Sequence, residues 1–260
     1  VTAALDVQQP LVLATLSERF GVREVLQATH DQTFMISLLY YFGVLTLTGE
    51  RNEYGELTLR IPNLVIQRLY VERIREMLLP DTGVRDEAQR IASQLYQKGQ
   101  MQPLCDFMVQ TYFKVFDNRD YRWTNELTIK TLFLSLLFND TFYIMDSEPA
   151  LQRDYADLVM IVRPDMRQYE LLDILIEFKY VALGLSNLTG EQVCAMRDDE
   201  LRALDMVQAA FAAARSKLAG YRDTLCEVYG EKLRLRTYTV VAVGFERLVW
   251  EEILEGSDHG

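Results

Sequence analysis

Histidine is nearly missing from this chain: His30 and His259 are the only two in 260 residues. That scarcity argues against a His-rich metal site, a Ser-His-Asp triad and Cys-His nucleophilic catalysis. Cysteine is almost as sparse. Cys105, Cys194 and Cys226 are far apart and show no paired spacing, so they read as reduced core thiols of a cytoplasmic protein rather than a disulfide framework or a zinc site. No apolar run approaches the roughly 18 residues a membrane span needs. The most apolar segment, 127–138, is shorter and contains Lys130, which makes it a buried helix. No Gly-rich loop ending in Lys-Ser or Lys-Thr is present, so ATP binding through such a loop is not expected. The start, Val1-Thr2-Ala3-Ala4, has no basic region followed by an apolar run, so no signal peptide is expected there. The missing initiator Met suggests a trimmed piece of a longer protein.

Positive charge is also short. The net charge is −11, and the deficit is uneven: 13 basic and 15 acidic residues precede Trp123, whereas 14 and 23 follow it. Bulk attraction to phosphate requires the opposite sign. Contact with nucleic acid must therefore be local, through metal ions or a partner. The hydrophobic content of 49% is enough for a large core, organised as one large domain or two ordinary ones.

Periodicity predicts helix, helix, hairpin and helix in the first third. Segment 11–27 has helical spacing at Leu13, Leu16 and Phe20, and 33–41 is a second apolar helix stopped by Gly43. Segments 44–48 and 56–61 alternate with period two around a polar link, which predicts a β-hairpin. Asn63 follows as the N-cap of the next helix. Helices with a β-wing suggest a winged-helix-like module. Its hairpin tip sets Arg51 against Glu50 and Glu53, so scaffolding is favoured over DNA binding. Helices at 85–98 and 101–115 are expected to connect two halves, with a boundary at 117–125. The expected domains are thus 1–120, helical and winged-helix-like, and 121–260. The second changes pattern: Glu126 opens the buried helix, and strands are predicted at 141–147, 155–162 and 171–180. A long helix at 197–229 and a Val-rich strand at 236–245 complete an α/β sheet flanked by helices.

The chemistry centres on Ile174-Leu175-Ile176-Glu177-Phe178-Lys179-Tyr180. Residues two apart in a strand share a face, so Leu175, Glu177 and Lys179 lie together while Ile174, Ile176 and Phe178 face the other way. A carboxylate and an ammonium on a strand otherwise apolar on both faces need compensation. Tyr155-Ala156-Asp157-Leu158-Val159-Met160-Ile161 carries a similar anomaly, one acid at the mouth of a hydrophobic strand. If the two strands pair, Asp157 and Glu177 converge on a divalent cation, and such hard oxygen ligands select Mg²⁺ or Mn²⁺. Lys179 then lies within reach of the water that the cation activates. The bland alternatives are a structural Glu177–Lys179 ion pair, a strand-end role for Asp157, and Asp154 in its place after a register slip. The basic run Lys232-Leu233-Arg234-Leu235-Arg236 reads as a solvated strand edge.

This arrangement resembles the PD-(D/E)XK nuclease superfamily. More narrowly, it is similar to the C-terminal nuclease-like region of bacterial AAA-ATPase-like proteins of unknown function. The shared features are Tyr155-Ala156-Asp157-Leu158, Glu177-Phe178-Lys179-Tyr180, Gly220-Tyr221 after an Ala-rich helix, and Val243-Gly244-Phe245. Leu39-Tyr40-Tyr41-Phe42-Gly43, Leu45-Thr46 and Ile61-Pro62-Asn63 resemble the segment that joins ATPase to nuclease in those proteins. The resemblance implies a restriction-endonuclease-like mixed sheet and Mg²⁺-dependent hydrolysis of DNA. In it Asp157, Glu177 and the Phe178 carbonyl hold the metal, Lys179 orients water, and Glu126 completes or supports the metal shell. Where the superfamily often sets a Gln or Lys on the following helix, this chain offers Arg215 and Lys217 for positioning phosphate. The implied partners are DNA and an ATPase domain that this chain lacks. No membrane association is expected, and self-association is left open. A nuclease fold kept only for regulation or protein contact, and DNA binding by the N-terminal module alone, are the competing readings.

Overall fold

The computed structural model describes residues 11–16, 32–115, 126–146, 157–186 and 188–253. The boundary expected at 117–125, the Asp154 alternative and both histidines lie outside the described residues. Contacts divide the chain into two compact units, Val1–Arg73 and Ile74–Gly260.

The first unit contains β1 (Leu11–Leu13), α1 (Gln32–Tyr41), β2 (Thr46–Arg51) and β3 (Leu57–Arg60). The strands form an antiparallel sheet in the order β1-β3-β2. The hairpin forms as expected, and its register slips between Leu47 and Arg51, around Gly49 at φ 87°. Leu11–Leu13 corrects the start of the helical reading of 11–27, and residues 17–27 lie outside the described residues. The Leu-Val-Leu run pairs residue for residue with the other edge of β3, Leu11 against Leu59 through Leu13 against Leu57. Three apolar residues satisfy either period, and the open strand edge decides between them. Leu13, Ile36, Leu45 and Leu59 form the buried core of this unit. Asn63 caps α2 (Leu64–Leu78) by accepting the Ile66 N–H at 3.0 Å. The helix runs across the division between the units.

The second unit opens with α3 (Thr82–Lys98) and α4 (Gln102–Phe107), the latter continuing in π-type and 3₁₀ turns to Val115. These helices pack into the second unit rather than connecting two halves. The Tyr96 hydroxyl donates to Leu137 O at 2.9 Å, and Trp250 donates to the Gln102 side chain at 2.7 Å. Next come α5 (Glu126–Leu137), β4 (Tyr143–Asp146), β5 (Leu158–Val162) and β6 (Asp173–Val181). After them follow α6 (Leu183–Ser186), α7 (Gly190–Ala195), α8 (Asp198–Arg202), α9 (Asp205–Tyr229), β7 (Leu235–Val243) and β8 (Arg247–Glu252). The mixed sheet has the order β4-β5-β6-β7-β8, with β6 and β7 parallel and every other pair antiparallel. The α/β reading therefore holds.

Helices cover both faces. On one, Phe133 of α5 meets Phe178 of β6 and Tyr96 of α3 meets Tyr143 of β4. The Tyr238 hydroxyl also ties β7 to the end of α3 by donating to Gly99 O at 2.9 Å. Gly99 closes α3 at φ 68°, and a Cβ there would stand 2.6 Å from that hydroxyl. Gly99→Ala is therefore expected to cost at least ~1 kcal/mol in chemical denaturation, with left-handed backbone and collision acting together. On the other face, α9 buries Val207, Phe211, Ala214, Leu218, Tyr221 and Leu225, at intervals of four and three. The expected single helix at 197–229 is broken, because Leu204 is extended at φ −64°, ψ 130°. β8 anchors the detached turn: Arg202 donates to Trp250 O, and Arg247 pairs with Asp198. Of the three cysteines, Cys105 alone is buried, so the core-thiol reading fails for Cys194 and Cys226. Among the described residues, no helix is long and apolar enough to cross a membrane.

Candidate active site

β6 is the middle strand of five, so a charged side chain at its centre is enclosed by the sheet and the helices on it. Pairing runs Leu158 with Ile176 and Val159 with Leu175. Asp157 immediately precedes β5 and so comes beside the Glu177–Phe178 stretch of β6. The Asp157 carboxylate accepts the Phe178 N–H on Oδ2 at 2.8 Å, which fixes it against β6. Both acids are buried, Asp157 at 4% exposure and Glu177 at 0%. The pair expected from two strands with misplaced acids is thus brought together.

Lysines supply the compensation. Lys179 Nζ and Lys217 Nζ each lie 2.8 Å from Glu177 Oε1, and Lys179 also donates to Phe178 O at 3.0 Å. Lys217 comes from α9, on the flank of its buried stripe. Lys130 of α5 lies 3.6 Å from Asp157 Oδ1, and Glu126, one turn earlier, lies 3.6 Å from Lys179. Three carboxylates and three ammonium groups therefore share one cluster.

Its electrostatics are uneven. Burial pushes the Glu177 carboxyl above its ordinary range and the Asp157 charge adds to this, despite both lysines. Glu126 is raised by burial first, with Asp157 contributing and Lys179 opposing. Burial pulls Lys179 down, but its hydrogen bond to Glu177 and the surrounding carboxylates hold it above the usual lysine value. Desolvation dominates at Glu177 because that side chain is fully enclosed, whereas that of Lys179 keeps 21% of its surface in water. One atom is left over. Glu177 Oε2 is buried without a hydrogen-bond partner, while both lysines crowd onto Oε1.

Of the residues expected here, Asp157, Glu177, Lys179, Glu126 and the Phe178 carbonyl meet, and Lys217 joins them. Arg215 does not. Its guanidinium is taken bidentately by Glu251 at 2.6 Å on each oxygen. The basic run is not a solvated edge: it leads into β7, which lies between β6 and β8, with Arg236 paired to Glu252 and Arg234 donating to Arg167 O. Lys130 is the residue that reading for function passed over. Its signal was present as a lone cation in an apolar helix, four residues after Glu126 and so on the same face.

Among the described residues, no three acidic, His or Cys side chains are grouped closely enough to hold an ion by themselves. The donors present are two carboxylates and one main-chain carbonyl. That set suits Mg²⁺, which keeps several waters and takes one or two carboxylates plus substrate phosphate rather than a full protein cage. Two neighbouring buried carboxylates, with Glu177 raised by burial and by the Asp157 charge, are a pair that an added cation would stabilise. Comparison with family models, curated proteins and solved structures finds no match to this chain.

Proposed function

We propose that the second unit is a Mg²⁺-dependent nuclease domain of the PD-(D/E)XK type, acting on DNA as the C-terminal part of an AAA-ATPase-like protein. The first unit serves as its winged-helix-like companion. The observation that carries this reading is the burial of Asp157 and Glu177 in one cluster, Asp157 bound to the Phe178 N–H and Lys179 bound to Glu177. Asp157 Oδ1, the Glu177 carboxylate and the Phe178 carbonyl would hold the ion. Bound Mg²⁺ supplies Lewis-acid polarisation of the scissile phosphate and a more acidic attacking water. Lys179 orients that water and offsets charge developing on the phosphate. Lys217 neutralises the Glu177 edge that faces α9 and reaches toward a phosphate oxygen. Lys130 balances the Asp157 charge from 3.6 Å, and Glu126 holds Lys179 in place.

Two substitutions test the reading. Asp157→Asn keeps an oxygen for the Phe178 N–H and Glu177→Gln keeps the shape of its side chain, so folding should survive and can be checked by circular dichroism. Each is expected to weaken Mn²⁺ binding, read by calorimetry, and to slow Mg²⁺-dependent cleavage of DNA on the order of 10²–10³-fold. A wild-type chain that takes up no Mn²⁺ contradicts the proposal. A second reading, a nuclease fold retained for regulation or protein contact, draws support from the balance of three lysines against three carboxylates, since such a network is self-sufficient. It predicts identical Mn²⁺ titrations for wild type and Asp157→Asn.

A further inference from the structure

The apolar packing beneath α9 is split in two. Val181, Val207, Phe211, Val241, Val243 and Val249 form one cluster, and Val159, Ile161, Leu175, Leu218, Tyr221 and Leu225 belong to the other. A polar line crosses the sheet within this face. Parallel pairing sets Glu177 beside Thr239 and Leu175 beside Thr237, and β8 extends the line by pairing Thr239 with Glu251. Paired residues share a face, so Glu177, Thr239 and Glu251 stand side by side at the strand spacing of about 4.8 Å.

The outer member is satisfied, because Glu251 takes Arg215 on both oxygens. The inner ones are not. Thr239 and Thr237 are 0% and 2% exposed, and their hydroxyls have no hydrogen-bond partner. Neither has Glu177 Oε2, on the residue paired with Thr239. Threonine is a common strand residue, so its presence alone explains nothing. What calls for explanation is three orphans of complementary kind on one face of two paired strands: a carboxylate can only accept, and a hydroxyl can donate. Leaving them unmet costs desolvation energy at each atom. A single buried water makes about three hydrogen bonds, the number needed here.

We infer that Thr239 is a positioning residue for Glu177, holding Oε2 through one bridging water that Thr237 also binds. Lys179 and Lys217 fix one oxygen of the carboxylate, and Thr239 fixes the other, so the carboxylate plane is set from both sides before an ion arrives. This rests on the proposed hydrolytic site for its purpose, though not for its geometry. Partners that orient a liganding side chain typically matter 10–100-fold in metal affinity.

The test compares Thr239→Val, which keeps the shape and removes the hydroxyl, with Thr239→Ser, which restores it. With the bridge in place, Thr239→Val is expected to lower Tm by about 2–4 °C and to weaken Mn²⁺ binding about 10-fold, while Thr239→Ser stays near wild type in both. A crystal structure of the wild type should show an ordered water between Thr239 and Glu177 Oε2, lost in Thr239→Val. If Thr239→Val leaves Tm unchanged or raises it, the hydroxyl is a true orphan and the inference falls. A lowered Tm with unaltered Mn²⁺ affinity makes Thr239 merely structural and equally overturns the positioning role. A wild type that binds no Mn²⁺ sinks the hydrolytic reading alone. Tm and the ordered water then decide the Thr239–Glu177 contact.

Discussion

Asp173→Ala is expected to lower the unfolding free energy of the second unit by about 3–5 kcal/mol, the usual cost of stripping one partner from a buried ion pair. Asp173 begins β6 and is fully enclosed, yet it accepts four hydrogen bonds. The Val162 N–H reaches Oδ1 at 2.7 Å and the Arg234 N–H reaches Oδ2 at 2.8 Å. Arg167 adds a two-pronged contact at 2.6 and 2.8 Å and also donates to Lys232 O. One carboxylate thereby fastens the end of β5, the turn after it and the entry to β7 onto the first residue of β6. Removing it leaves the guanidinium with Lys232 O alone and deprives two main-chain N–H groups of their acceptor. Asp173→Asn should cost less, because one oxygen survives, but its amide faces donors and cannot serve both sides. Urea unfolding followed by circular dichroism gives the comparison. An Asp173→Ala midpoint matching wild type would show that water replaces the carboxylate freely. The substitution lies four residues from Glu177, so lost Mn²⁺ binding with intact Asp157 and Glu177 would show that the acid pair depends on this anchor.

What the sequence disclosed and what it concealed follow from how far each signal reaches. Glu177 and Lys179 were legible because period-two alternation is local, and a charge on a strand apolar on both sides contradicts its surroundings. Asp157 was legible on the same ground. Their meeting needed only antiparallel pairing of consecutive strands, and short connections make that common. Lys217 was visible as a cation on an amphipathic helix, but nothing local separated it from Arg215. Their partners, Glu177 and Glu251, sit two strands apart, and only the placement of α9 across the sheet assigns them. β8 escaped because Arg247-Leu248-Val249-Trp250-Glu251-Glu252 does not alternate. Its charges are matched by α8, α9 and β7 instead. Leu11–Leu13 misled for the opposite reason: Leu13 fits the helical spacing with Leu16 and Phe20, and a distant partner, the edge of β3, sets the conformation instead. Thr239 was invisible. Threonine suits a strand whatever it touches, and its interest arises only from standing beside Glu177.

Lys179→Met should separate two roles of the site, abolishing hydrolysis while tightening metal binding. In the structure the Lys179 ammonium bonds Glu177 Oε1 and Phe178 O and faces Glu126, so it draws on donors that an incoming cation needs. The two positive charges also repel. At about 5 Å and an effective dielectric constant near 20, a unit charge meeting a divalent ion costs several kcal/mol before solvent and rearrangement reduce it. Methionine keeps the length and apolar stem of the side chain and removes the charge, so Mn²⁺ affinity is expected to rise about 10-fold or more. Cleavage of DNA should fall on the order of 10³-fold, because the group that orients water and offsets the developing charge is gone. Lys217→Met also removes a partner of Glu177 Oε1, but it leaves Lys179 on the Phe178 carbonyl. It should tighten Mn²⁺ less and slow cleavage less. Calorimetry with Mn²⁺ and a cleavage assay at saturating Mg²⁺ read the two effects independently. Weaker metal binding in Lys179→Met would mean that the ammonium organises the carboxylates rather than competing for them. An unchanged cleavage rate would remove Lys179 from the chemistry and leave Glu177–Lys179 as the structural ion pair that alternation alone would also permit.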